Sequence, residues 1–117
     1  MGALTSMLTA RFSAPGERPE AALERWRANP PEWLPDRYQE IDRSYNSVTW
    51  EWRHTPLSMK LTLIGKWVGG QTVYRLTALF ADDGHGGSTI TVNGACDDRT
   101  HDAIRAAAEQ VVEGGVV

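Results

Sequence analysis

Val48-Thr49-Trp50-Glu51-Trp52-Arg53 alternates apolar and polar residues without a break, and that period decides the fold class. Successive side chains of a strand point to opposite faces. Val48, Trp50 and Trp52 therefore share one face, and Thr49, Glu51 and Arg53 share the other. β-branched and aromatic residues suit such a pleated, half-buried surface. His54-Thr55-Pro56 closes the strand.

Toward the C-terminus the same period returns. Met59, Leu61, Leu63 and Trp67 alternate with Lys60, Thr62, Ile64 and Lys66, which predicts a strand over 59 to 67. Gly69-Gly70 reads as a hairpin turn, because glycine tolerates the positive φ such turns require. The returning strand carries Thr72, Tyr74, Leu76, Ala78 and Phe80 on one side. The glycine-rich segment 81 to 87 is a longer hairpin loop. Ile90 and Val92 then face the core from a further strand, and Asn93-Gly94 ends or bulges it. Asp97 or Asp98 caps a last helix with Ala103, Ile104, Ala107, Ala108 and Val111 as its apolar stripe, and Gly114-Gly115 stops it.

Toward the N-terminus, Ser44-Tyr45-Asn46-Ser47 is a turn, preceded by a short strand over 39 to 42. Trp33 and Leu34, set among prolines in a connector over 30 to 36, read as an apolar plug that tucks under the domain. Before it, Pro19 and Glu20 suit a first helical turn, and Ala22, Leu23 and Trp26 recur at helical spacing. Asn29-Pro30-Pro31 stops that helix, because proline lacks a donor and restricts the residue before it. Leu4, Ser6, Leu8, Ala10 and Phe12 alternate with Thr5, Thr9, Arg11 and Ser13 in a first strand that Ala14-Pro15-Gly16 ends. The expected fold is α+β: one domain over 1 to 117, with an antiparallel sheet of about five or six strands. Two helices pack on one face, in the order β-α-β-β-β-β-α.

The totals exclude several classes. A chain of 117 residues suits a single domain with its own core. The net charge of −3, with both signs interspersed, leaves no footprint for nucleic acid or for anionic lipid. A single cysteine permits no internal disulfide and fits a reducing, cytoplasmic setting. No secretory leader is legible in the first dozen residues, and no apolar run reaches the ~20 residues of a membrane helix.

The segment LTARFSAPGERPEAALERW, followed by PEWLP, resembles the opening of a helix-grip (START-like) domain. VYRLTALFADDGHGGSTITVNGACDDRTHDAIRAAAEQV resembles that family's final hairpin and helix. From TWEWRHTP onward the chain is also similar to small actinobacterial α+β domains. The helix-grip resemblance implies an antiparallel sheet wrapped around a C-terminal helix, with a small apolar ligand held between them. It runs shorter than that family by a strand or more.

Five tryptophans are the most unusual feature of the composition. Converging aromatics line a ligand cleft, form an interface hot spot, or fill a core short of Phe and Ile. The candidate ligand-lining set is Trp26, Trp50, Trp52, Leu61, Tyr74, Phe80 and Ile104. Trp67, Glu51 and Arg53 are the candidate interface residues, with Glu51 and Arg53 expected to pair with Lys60 or Lys66 across the sheet. Asp82, Asp83 and His85 offer cation ligands, but Asp-Gly and Gly-Gly are also what a hairpin requires, so no metal is expected. Neither is a cofactor: Gly69-Gly70 lacks the further glycines and the following helix of a phosphate-binding fingerprint. Cys96 precedes a helix N-terminus, where the dipole would lower its pKa, and His101 follows one turn later. The leading expectation is a non-enzymatic binding or protein-interaction module, as a homodimer or with a protein partner. A small apolar-ligand binder and a cysteine-dependent enzyme are the alternatives.

Overall fold

The computed structural model describes residues 7–54 and 72–114, and for 110–114 the backbone only. The elements are β1 (Met7–Ala14), α1 (Pro19–Ala28), β2 (Gln39–Ser44), β3 (Ser47–His54), β4 (Thr72–Asp82), β5 (Ser88–Ala95), α2 (Asp98–Ala107) and β6 (Gln110–Gly114). The strands form one six-stranded sheet in the order β2-β3-β4-β5-β1-β6, antiparallel at every pairing. The fold is therefore α+β in the expected order, with β6 added after the last helix.

Register places the apolar residues in rows across the sheet. Val48, Ala78, Val92 and Ala10 are successive partners, as are Trp50, Leu76, Gly94 and Leu8. All of these except Gly94 are buried. β1 lies between β5 and β6, so the chain must cross the whole sheet to reach β2 at the far edge. α1 is that crossover, and its buried stripe of Ala22, Leu23 and Trp26 lies on the apolar rows. Trp26 meets Phe80 edge-on at 5.5 Å and Trp33 at 5.8 Å, while Phe12 stacks on Trp33 at 5.7 Å. Trp50 closes the group at 6.4 Å from Trp26 and 6.3 Å from Trp33. These separations are those of rings in direct packing contact. The connector plug thus lies under the domain as expected, with Trp33 and Leu34 both buried.

α2 differs from expectation at its end. It finishes at Ala107, and Glu109 N–H donates to the Arg11 carbonyl at 3.0 Å, beginning the pairing of β6 with β1. Val111 is thus opposite Ala10 in a strand, not in a helical stripe, and Gly114 ends a strand, not a helix. The free edge of β1 supplies the reason: its backbone groups need partners, and the β-branched pair Val111-Val112 suits a strand. The strand expected over 59 to 67 lies outside the described residues. β3 pairs directly with β4, Trp50 opposite Leu76, so the two are neighbours in the sheet. No described helix is long and apolar enough to cross a membrane.

Candidate functional site

The expected ligand-lining residues divide into two groups. Trp26, Trp50, Phe80 and Ile104 are buried core, with Phe80 and Ile104 at 1% and 0% exposure. Trp52 and Tyr74 are half-buried and stack on each other at 5.4 Å, forming a ledge that His54 and Tyr38 extend. Leu61 lies outside the described residues.

A clamp holds this ledge to α2. The Arg37 guanidinium lies 4.3 Å from the Trp52 ring centre and pairs with Asp97 at 2.8 Å. Tyr38 donates its hydroxyl hydrogen to Asp97 at 2.8 Å, and Thr100 donates to the same carboxylate from its hydroxyl and its N–H. Asp97 is the helix cap, so one carboxylate joins the connector, the ledge and the start of α2. Burial works to raise its pKa, but the bonds from Thr100 and Tyr38 and the nearby Arg37 charge outweigh that and hold it low. Burial, and then the bond to Asp97, push the Tyr38 hydroxyl well above the ordinary range.

The cysteine expectation is reversed. Cys96 is buried, and burial together with the charges of Asp97 and Asp98 pushes its thiol up to about 12. A nucleophilic cysteine needs the opposite shift. In the hairpin loop, the Asp83 carboxylate accepts N–H bonds from His85 and Gly87 at 2.6 and 3.0 Å, which makes it a turn-forming group. Among the described residues no three His, Cys, Asp or Glu side chains converge as metal ligands would.

The opposite face of the sheet is built differently. Its rows run Thr49-Thr77-Asn93-Thr9 and Ser47-Leu79-Thr91-Arg11, and the two described helices lie on the other side. The Thr49 and Thr77 hydroxyls are 3.0 Å apart. Met7, Val73 and Leu79 are exposed on this face at 52%, 39% and 41%. Glu51 is only 9% exposed there, held by Arg53 at 2.9 Å and by Arg75 at 2.5 Å. The bond from Arg75, ahead of the smaller opposing effect of burial, keeps the Glu51 carboxyl below its usual range, and Arg53 adds to it. Among the described residues the partner of Glu51 across the strands is Arg75, and Arg53 meets it from its own strand. Lys60, Lys66 and Trp67 lie outside the described residues.

Sequence reasoning missed Arg75 although the alternation of β4 puts it on the outer side, next to Tyr74. Naming it as Glu51's partner required knowing that β3 and β4 are neighbours, which the expected strand over 59 to 67 obscured. Arg37, Tyr38 and Asp97 carry no shared sequence signal, being about sixty residues apart. No family model matches the chain, and no curated protein or solved structure matches it.

Proposed function

We propose that this domain is a non-enzymatic interaction module that pairs with a second copy of itself through the sheet face on which no described helix packs. The carrying observation is that face: a broad antiparallel surface on which Met7, Val73 and Leu79 are exposed while Glu51 sits nearly hidden between two arginines. Its size supports the reading. Strands ~4.8 Å apart and ~27 Å long give a face on the order of 600–700 Å². A standard interface buries ~800 Å² per partner.

Charge supports a like partner as well. Register puts Arg11, Arg53 and Arg75 on this face together with Asp42 and Glu51, so both signs are present and neither dominates. Two copies related by a two-fold axis can then set the arginines of one against the carboxylates of the other. The ligand-pocket alternative is opposed by the packing of Trp26, Trp33, Trp50, Phe12 and Phe80, whose rings occupy the space between α1 and the sheet. The cysteine-enzyme alternative is opposed by the raised Cys96 thiol. A lone buried thiol agrees with a cytoplasmic setting.

Native mass spectrometry of the intact chain tests the proposal. The expected result is a dimer with no retained small molecule, converted to monomer by Leu79→Glu with the melting temperature of the dissociated protein unchanged. A wild-type monomer at tens of micromolar overturns it, and a monomer carrying a discrete extra mass transfers support to the ligand reading.

A further inference from the structure

Asn93-Gly94 lies within β5, which is paired on both sides, with β4 and with β1. Asn93 is half-buried on the face where no described helix packs, between Thr77 and Thr9. Gly94 stands between Leu76 and Leu8 at φ +135°. A Cβ there would collide with the Arg75 carbonyl, so the fold holds this position to glycine. The side chain that would shield the backbone nitrogen of residue 94 is thereby absent.

An asparagine followed by glycine carries its own electrophile and its own nucleophile. The Gly94 nitrogen, giving up its proton to hydroxide, attacks Cγ of Asn93. A new N–Cγ bond forms, the Cγ–Nδ2 bond breaks, and Nδ2 leaves as ammonia with a proton taken from water. Water then opens the five-membered imide at either carbonyl, leaving aspartate or isoaspartate. Cyclisation requires ψ of Asn93 to rotate out of the extended range. Pairing with β4 and β1 holds the strand extended and opposes that rotation.

We propose that Asn93 is a modification site masked by the sheet, which cyclises when β5 leaves its neighbours and yields an isoaspartate that prevents its return. Isoaspartate routes the main chain through the side-chain carbon and so adds one backbone atom. That atom displaces Gly94 and Ala95 against Leu8 and Met7 on one side, and against Leu76 and Arg75 on the other. Register in a sheet with a buried face is strongly specified, so neither ladder absorbs the shift. The aspartate product keeps the normal backbone length and does not share this effect. Masking by β4 and β1 operates within one copy of the chain and does not require self-association.

The test is peptide mass mapping of the intact chain after incubation at mildly alkaline pH, native and in urea. Acid at position 93 is expected to accumulate about a hundredfold or more faster in urea, because only the open fraction of the native chain reacts. After dilution from urea, chains carrying isoaspartate at 93 are expected to stay outside the folded fraction. Asn93→Asp is expected to fold. Asn93→Gln, whose longer side chain cyclises far more slowly, is expected to keep its refolding yield over the same incubation. Equal rates in the native chain and in urea overturn the proposal, as does recovery of isoaspartate-bearing chains in the folded fraction. So does failure of Asn93→Asp to fold, since charge alone would then account for the loss, or a wild-type loss of yield in Asn93→Gln.

Discussion

The two faces of this sheet are made from the same strands, residue by residue, yet different interactions hold them. On the covered face, Trp50, Leu76, Phe80, Ile90 and Val92 meet α1 and its aromatic plug, and each is at most 3% exposed. Water is excluded there, so stability follows from area and close packing. The uncovered face carries threonines, an asparagine and a Glu51–Arg53–Arg75 cluster, with apolar side chains only at intervals. Apart from the nearly buried Glu51, its polar groups are in contact with water, where such interactions are individually weak. Among the described residues, one face makes the fold, and no helix packs on the other.

The largest effect that separates the faces is truncation. Phe80→Ala, on the covered side, should cost ~3–5 kcal/mol by urea denaturation. Leu79→Ala, the adjacent residue on the other side, should fall within ~0.5 kcal/mol at protein concentrations too low for self-association. Comparable losses from both would mean that the second face is covered in the free protein.

Gly94→Ala comes next. Gly94 has φ +135° within β5, and a Cβ there would collide with the Arg75 carbonyl, so the two central strands would have to move apart. A loss of about 1–3 kcal/mol is expected by the same denaturation measurement.

Asp97→Ala removes the α2 cap and releases Tyr38 and Arg37 from the clamp. The cap alone is worth ~1 kcal/mol. Asp97 and Glu51 both have folded pKa values below the ordinary range. Their contribution is complete above the unfolded carboxylate pKa near ~4 and is lost as pH falls through the lowered folded value. Thermal melts should therefore show falling stability on acidification below pH ~4, with a flatter acid limb in Asp97→Asn.

The smallest effect lies at the other end of the pH scale. The Cys96 thiol is raised from 9.0 to about 12, so its share of stability is whole below the unfolded value and disappears as pH rises through the folded one. Cys96→Ala should flatten the alkaline limb. In the native state at neutral pH, a thiol reagent should label Cys96 far more slowly than it labels the unfolded chain. Rapid native labelling would show that the covered face opens at this end.

Alternation alone made β1, β3, β4 and β5 legible, because a period of two has one structural meaning when β-branched and aromatic residues carry it. The α1 stripe and the stop at Pro30-Pro31 were legible for the same local reason. β6 was not. Ala107, Ala108 and Val111 continue a helical period, and only the unpaired edge of β1 draws the chain out of the helix. The candidate site was legible in part: Glu51 and Arg53 were placed on the polar face correctly, while Arg75 waited on strand order. Trp26, Trp50 and Phe80 were expected to converge, and they do, but whether converging rings leave a gap depends on distances no period encodes.

What the amino-acid sequence determined by itself is what neighbouring residues decide: the period of each element, its caps and turns, and which side of each strand is apolar. Only the tertiary structure decided that β1 inserts between β5 and β6, that Asp97 gathers Arg37, Tyr38 and Thr100, and that the Cys96 thiol is raised rather than lowered. Each of these depends on groups far apart in the chain brought within a few ångströms. Burial and charge act through that spatial distance, on which separation along the sequence has no bearing.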